Sequence, residues 1–151
     1  VSAARLIASF FGAGLLPRAP GTWGSLAALA VGAVLLAASP WLLAAGVVAA
    51  TLAGLWAIPR AGGDGDPGWV VIDEVAGMWL TMLPLAGPSA LGLALAFALF
   101  RLLDIAKPGP IGAIDRYPGA AGVMGDDLAA GAAGAALLWI ILKVLLPAAA
   151  G

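Results

Sequence analysis

The run S-L-A-A-L-A-V-G-A-V-L-L-A-A-S-P-W-L-L-A-A-G-V-V-A-A-T-L-A-G-L-W-A-I (Ser25–Ile58) carries no charged residue and is interrupted only at Ser39-Pro40. A proline at that point ends a helical pattern and starts a turn. The run therefore reads as two apolar helices, Ser25–Ala38 and Trp41–Ile58, folded back on each other. Each is near or below the ~20 residues that a membrane span needs. A tight hairpin of short spans is expected.

The rest of the chain has the same character. Of its 151 residues, 63% are hydrophobic and 10% charged, and mean hydropathy is +1.08. Soluble domains carry about 25% charged residues, so this chain lacks the polar groups to cover a water-facing surface. The length suits one domain, residues 1–151. Net charge is −1, and no basic stripe is available to neutralise a nucleic-acid backbone. Cysteine and histidine are both absent. That removes disulfides, thiolate chemistry, the commonest general base and the usual zinc ligand.

Before the hairpin, Ala3–Leu16 is apolar around Arg5 and suits one short interfacial helix. Arg5–Leu16 has the look of a signal-peptide start, but Gly14, Pro17 and Pro20 interrupt it, and no targeting segment is assigned. Pro17–Gly24 is a break, with Thr22 and Ser25 as candidate N-caps. After the hairpin, Pro59–Gly68 is a polar loop. A third helix, Val75–Leu85, and a fourth, Ala90–Leu103, make a second hairpin around Gly87-Pro88-Ser89. Lys107–Gly125 is a proline-limited polar connection, and Leu128–Leu146 is a final apolar helix long enough to span. The expected fold is all-α: a small polytopic membrane bundle of two short hairpins, a final spanning helix and an N-terminal interfacial helix. This topology puts Arg5, Arg18, Arg60, Arg101, Lys107, Arg116 and all eight acidic residues at one membrane face, with Lys143 toward the other. The bias of positive charge makes the crowded face cytoplasmic.

The acids carry the chemical signal. All eight lie between Asp64 and Asp127, in three polar islands between apolar runs. Asp73-Glu74 opens a helix, where carboxylates also suit the helix dipole. Arg101, Asp104 and Lys107 follow at three-residue spacing on one helix face, an interfacial ion-pair ladder or an acid between two phosphate-binding cations. Asp115-Arg116 lies in the loop beyond. Asp126-Asp127 precedes the last span, where two adjacent carboxylates are costly unless paired or ligating. The turn Pro20–Ser25 offers free backbone N–H groups at a helix start, a place for an anion. Carboxylate-rich sites of this kind suit Mg²⁺ or Mn²⁺. Such an ion polarises a phosphoryl group and activates water without His or Cys.

Four runs, L-L-P-R-A-P-G-T-W-G-S-L (Leu15–Leu26), V-I-D-E-V-A-G-M-W (Val71–Trp79), F-R-L-L-D-I-A-K-P-G-P-I (Phe100–Ile111) and G-V-M-G-D-D-L-A-A-G (Gly122–Gly131), resemble the phosphatidylglycerophosphatase A family in order and spacing. The resemblance implies a Mg²⁺-dependent lipid phosphatase of the bacterial inner membrane, multi-pass, with phosphatidylglycerophosphate as its phospholipid substrate. On that reading metal-activated water releases phosphate and leaves phosphatidylglycerol. The expected catalytic set is Asp73, Glu74, Asp104, Asp115, Asp126 and Asp127. Asp73, Glu74, Asp104, Asp126 and Asp127 are the expected ligands of one or two ions. Arg101, Lys107 and Arg116 are expected to neutralise the phosphate, with the Gly21-Thr22 backbone holding its oxygens. Asp115 is left as ligand, general base or partner of Arg116. The alternatives are a divalent-cation transporter and another metal-dependent phospholipid-headgroup enzyme. A transporter usually places acids inside its spans, whereas every carboxylate here is expected at a junction. No oligomeric state follows from the sequence.

Overall fold

The computed structural model describes residues 1–147. Within them the chain is helical, with no strand. Seven α-helices follow one another: α1 (Ala3–Ala8), α2 (Pro20–Ala38), α3 (Pro40–Arg60), α4 (Ile72–Met82), α5 (Ala90–Ala106), α6 (Pro110–Asp115) and α7 (Gly119–Ile140). The expected hairpins are there, α2 with α3 and α4 with α5. Three helical segments are long and apolar enough to cross a membrane: Pro20–Ala38, Pro40–Arg60 and Gly119–Leu145.

Several boundaries differ from the sequence reading, each for a local reason. The N-terminal segment is not one helix. It breaks after Ala8 and resumes as a 3-10 turn at Ala13–Leu15, because Phe10, Phe11 and Gly12 all take positive φ. Tertiary contacts hold this break. The Phe10 ring meets Trp79 edge-on, with centroids 6.1 Å apart, and the Val71 N–H donates to the Ala8 carbonyl at 2.9 Å. Helix α2 begins at Pro20, where a proline at the first helical position loses no hydrogen bond. Thr22 and Ser25 therefore lie inside the helix, and neither caps it. Helix α6 starts on Pro110 in the same way, inside the connection read as polar and proline-limited. Helix α7 starts at Gly119, well before Leu128. Asp126-Asp127 thus sit about two turns inside a candidate span rather than ahead of it. Glycines are poor helix formers, but packing outweighs that here: Met124 of α7 is buried where α3 offers Gly54.

Helix α4 is the hub. It packs against α2, α3, α5 and α7, and almost all of its side chains are buried. Lipid is as apolar as leucine, so helices in a membrane associate by close packing and hydrogen bonds. Both are present. A Cβ on Gly131 of α7 would lie 2.5 Å from the Gly77 carbonyl oxygen of α4, and one on Gly77 would lie 2.6 Å from the Asp127 carbonyl oxygen. The buried Thr81 hydroxyl reaches the carbonyls of Gly77 (3.0 Å) and Gly131 (3.2 Å). On the opposite side of α4, the Trp79 indole N–H donates to the Ala28 carbonyl of α2 at 2.7 Å.

The outer faces of α2, α3 and α7 expose Val34, Val48, Leu52 and Leu137, a surface suited to lipid. Trp41, Trp139 and Lys143 mark one end of the bundle. Trp23, Trp56 and Trp69 mark the other, where Arg5 lies 4.3 Å from the Trp69 ring centre and Arg60 lies 5.0 Å from that of Trp56. Interfacial aromatics of this kind fix the depth of a span.

The α4–α7 crossing yields a test. Gly131→Ala forces the two backbones apart and is expected to cost about 1–3 kcal/mol, read as a lower Tm in detergent. Gly87→Ala, whose Cβ meets nothing within 4 Å, is expected to leave Tm unchanged.

Candidate metal centre

Four helices bring their polar residues to one end of the bundle. The first turn of α4 supplies Asp73 and Glu74, placed where the helix dipole favours negative charge. The last turns of α5 supply Arg101 and Asp104, and Lys107 caps that helix. The interior of α7 supplies Asp126 and Asp127. The start of α2 brings Gly21 against them: a Cβ there would lie 2.6 Å from Glu74 Oε1 and 3.5 Å from Arg101 Nη1. Only a residue without a side chain lets α2 come this close to the Glu74 carboxylate.

Two triads of carboxylates converge, Asp73–Glu74–Asp127 and Asp104–Asp126–Asp127. In each, one oxygen from every residue lies within 4.8 Å of the others. Asp127 belongs to both because it stands where α7 crosses α4. Asp73, Asp104, Asp126 and Asp127 are all buried. The cations are arranged unevenly. Arg101 Nη1 donates to Asp104 Oδ2 at 2.6 Å and stands 4.0 Å from Glu74 Oε1. Lys107 Nζ donates to Asp126 Oδ2 at 2.5 Å, with Asp104 Oδ1 at 3.5 Å and Asp115 Oδ1 at 3.6 Å. Burial pulls the Lys107 ammonium toward its neutral form, but the Asp126 hydrogen bond and the surrounding carboxylates outweigh it. They hold its pKa above the ordinary lysine value.

Four carboxylate oxygens remain unsatisfied: Asp73 Oδ1, Glu74 Oε2, Asp126 Oδ1 and Asp127 Oδ2 are buried and accept no hydrogen bond from any described residue. A buried carboxylate without a partner is strongly destabilising. Converging unpaired oxygens with no nitrogen or sulfur among them fit a hard divalent cation. The residues present therefore suit Mg²⁺. Exposure is graded across the site: the side chain of Lys107 is 29% accessible, that of Arg101 16% and that of Asp126 2%. Lys107 and Arg101 are thus more accessible than the Asp126 carboxylate.

The other residues singled out from the sequence lie further out. Asp115 is at the rim, 3.6 Å from Lys107 Nζ. Arg116 is exposed and makes no ion pair or hydrogen bond among the described residues. The Thr22 N–H already donates to the Ala19 carbonyl at 3.0 Å, so of the Gly21-Thr22 pair it is Gly21 that stands at the carboxylates. One residue outside the expected set stands at the edge of the site. Asp66, in the loop after α3, stands exposed at the rim close enough to feel Lys107, Asp115 and Asp104. The protein wall behind it removes solvent and raises its pKa, Lys107 opposes that rise, and the two acids add to it. Its place in the most polar loop of the chain was the available signal. Ser25, one turn beyond Gly21 in α2, is fully buried with a hydroxyl that has no partner among the described residues.

The argument against a transporter leaned on acids at junctions, and Asp126-Asp127 do not lie at one. Comparison with known proteins separates the two readings instead. A family model described as phosphatidylglycerophosphatase A matches residues 6–142. Phosphatidylglycerophosphatase A of Escherichia coli is 39% identical over 141 residues, covering 90% of this chain and 81% of that protein. The protein of the same name from Haemophilus influenzae is 36% identical over 137 residues, covering 83% and 80%. A putative phosphatidylinositol-3-phosphatase of Bacteroides thetaiotaomicron is 39% identical over 136 residues, covering 83% and 85%. No solved structure matches the chain.

The crowding of unpaired acids has a measurable consequence. In metal-free detergent, Asp127→Asn relieves repulsion in both triads and is expected to raise Tm above that of the unsubstituted chain. Added Mg²⁺ is expected to stabilise the unsubstituted chain, by about 2.7 kcal/mol at a hundred times Kd, and to do little for the variant. Thermal melts with EDTA and with Mg²⁺ check both.

Proposed function

The chain belongs to the phosphatidylglycerophosphatase A family, and we propose how its residues divide the work of that activity, the hydrolysis of phosphatidylglycerophosphate to phosphatidylglycerol and phosphate. The observation that carries the reading is the convergence of unpaired, buried carboxylate oxygens from Asp73, Glu74 and Asp127 beside Arg101 and Lys107. Asp73, Glu74, Asp104, Asp126 and Asp127 are the donor set that would hold Mg²⁺. When bound, the ion supplies a Lewis acid for the phosphoryl oxygens and a lowered pKa for water.

The chain's own groups do the rest. Arg101 and Lys107 stand on the accessible side of the carboxylates and draw the phosphomonoester in, offsetting the acids that would repel it. Arg101 also orients Asp104 through its hydrogen bond. Gly21 lets the start of α2 pack closely against Glu74 and offers a backbone N–H there. Asp115 holds the outer side of Lys107, and the exposed Arg116 beside it would meet the headgroup. With histidine and cysteine absent, a covalent route would run through an aspartyl phosphate, and attack by water is preferred to it.

The bundle sets the substrate's position. Trp23, Trp56 and Trp69 mark the charged end as the interface, with lipid tails beside the apolar outer faces. Arg5, Arg18, Arg60, Arg101, Lys107 and Arg116 all belong to this end and Lys143 to the other, so the site is assigned to the cytoplasmic face of the bacterial inner membrane.

The test is phosphate release from phosphatidylglycerophosphate in detergent micelles. Activity is expected with Mg²⁺ and not with EDTA, and Asp127→Asn is expected to lose about 10²–10³-fold, as when a preorganised electrostatic group is removed. Undiminished release in EDTA would sink the metal assignment. Phosphatidylinositol 3-phosphate belongs in the same assay, because one relative carries a name for that activity; faster release from it would transfer the substrate assignment.

A further inference from the structure

The two carboxylate triads are not equivalent. In Asp104–Asp126–Asp127, fixed cations already occupy much of the donor surface. Lys107 Nζ is 2.5 Å from Asp126 Oδ2 and 3.5 Å from Asp104 Oδ1, while Arg101 takes Asp104 Oδ2 at 2.6 Å. Both oxygens of Asp104 and one of Asp126 thus face a tethered positive charge. In Asp73–Glu74–Asp127, every residue keeps a buried oxygen that accepts no hydrogen bond from any described residue. Asp73 and Asp127 are 4% and 3% exposed, so water cannot make up the deficit from bulk. The nearest cation is Arg101, 4.0 Å from the other oxygen of Glu74.

Lys107 is also built into its place. It caps α5 in the left-handed region, φ 46° and ψ 55°, where a residue with a side chain costs energy unless its surroundings hold it. The turn reverses the chain at the end of α5 and sends the lysine toward α7. Pro108 follows directly and prevents the helix from continuing.

We infer that this phosphatase binds a single divalent cation, in the Asp73–Glu74–Asp127 triad, and that the Lys107 ammonium stands where a two-metal phosphatase would carry its second ion. The inference rests on the metal-phosphatase reading and narrows it. Two-metal sites hold the phosphate between two cations. Here one of those would be supplied by the chain itself, as an ammonium tethered at the end of α5. Asp127 belongs to both triads and so joins the two halves. The free oxygen of Asp126 lies at the boundary between them.

The experiment is Mn²⁺ binding to the full chain in detergent, by calorimetric titration and electron paramagnetic resonance, with Mn²⁺ as the oxygen-ligated stand-in for Mg²⁺. One ion per chain, with no Mn–Mn coupling, is expected. Asp73→Asn is expected to weaken binding by at least about tenfold, whereas Asp104→Asn, on the lysine side, changes Kd by less than about threefold, below the 10–100-fold expected of even a supporting group around a metal. Lys107→Met, which keeps length and removes charge, is expected to admit a second ion and produce coupled spectra. Two ions in the unsubstituted chain, or equal losses in Asp73→Asn and Asp104→Asn, overturn the inference. If that chain still hydrolyses phosphatidylglycerophosphate in a Mg²⁺-dependent way, the phosphatase reading stands without it. No bound Mn²⁺, together with hydrolysis in EDTA, removes both. Should Lys107→Met fail to fold, the two aspartate variants decide the matter alone.

Discussion

The close crossing of α4 and α7 is the constraint on which the site depends. Gly77 and Gly131 let the two backbones approach to a distance that no side chain could share. The Thr81 hydroxyl then reaches carbonyls on both helices. That contact fixes Asp127 beside Asp73 and Glu74. The remaining helices serve the same crossing: α2 through the Trp79 indole, and α5 through Phe100, which is fully buried and lies against Gly77. A bundle held by contact rather than by a hydrophobic driving force has little slack, so the carboxylate geometry is stiff.

That stiffness is set against a local electrostatic conflict. Asp73, Glu74, Asp104, Asp126 and Asp127 converge at the end of a lipid-facing bundle, while Arg101 and Lys107 are the cations in contact with them. Unpaired carboxylate oxygens in a place shielded from water destabilise the fold that holds them. A local rule broken inside an otherwise consistent structure is a mark of function. On the proposed reading the conflict would supply the affinity for a cation and, through Lys107 and Arg101, a landing place for an anion. The same residues would be a defect in a scaffold and are an asset in a phosphatase.

Much of this was legible in the sequence. The uncharged run Ser25–Ile58 and the breaks at Ser39-Pro40 and Gly87-Pro88-Ser89 gave both hairpins. Clustering of acids between Asp64 and Asp127 marked the functional end, and the four motif runs marked the family. What was misread has a common cause: local breakers were weighed without their neighbours. The glycines of Gly119–Gly125 read as a polar connection, yet Met124 packs on Gly54 and the segment is helical. The Ala3–Leu16 stretch read as one helix, yet Phe10 on Trp79 and the Val71 hydrogen bond to Ala8 hold a break after Ala8. Thr22 and Ser25 read as caps because proline at a first helical position moved the true start of α2 forward.

The sequence by itself determined the solvent, the helices and the chemical class of the site. Hydropathy and the scarcity of charge follow from composition alone, and carboxylates without histidine or cysteine permit few chemistries. Only the tertiary structure decided which acids face one another and which are already neutralised. Asp127 is adjacent in sequence to Asp126, but a helix turns neighbouring side chains about 100° apart. One of the pair is therefore delivered to Lys107 and the other to α4. Pairings of that kind depend on the angle and depth at which helices cross. Those are set by the glycines and the threonine at the crossing, far along the chain from the acids of α4 and α5 that they bring into contact.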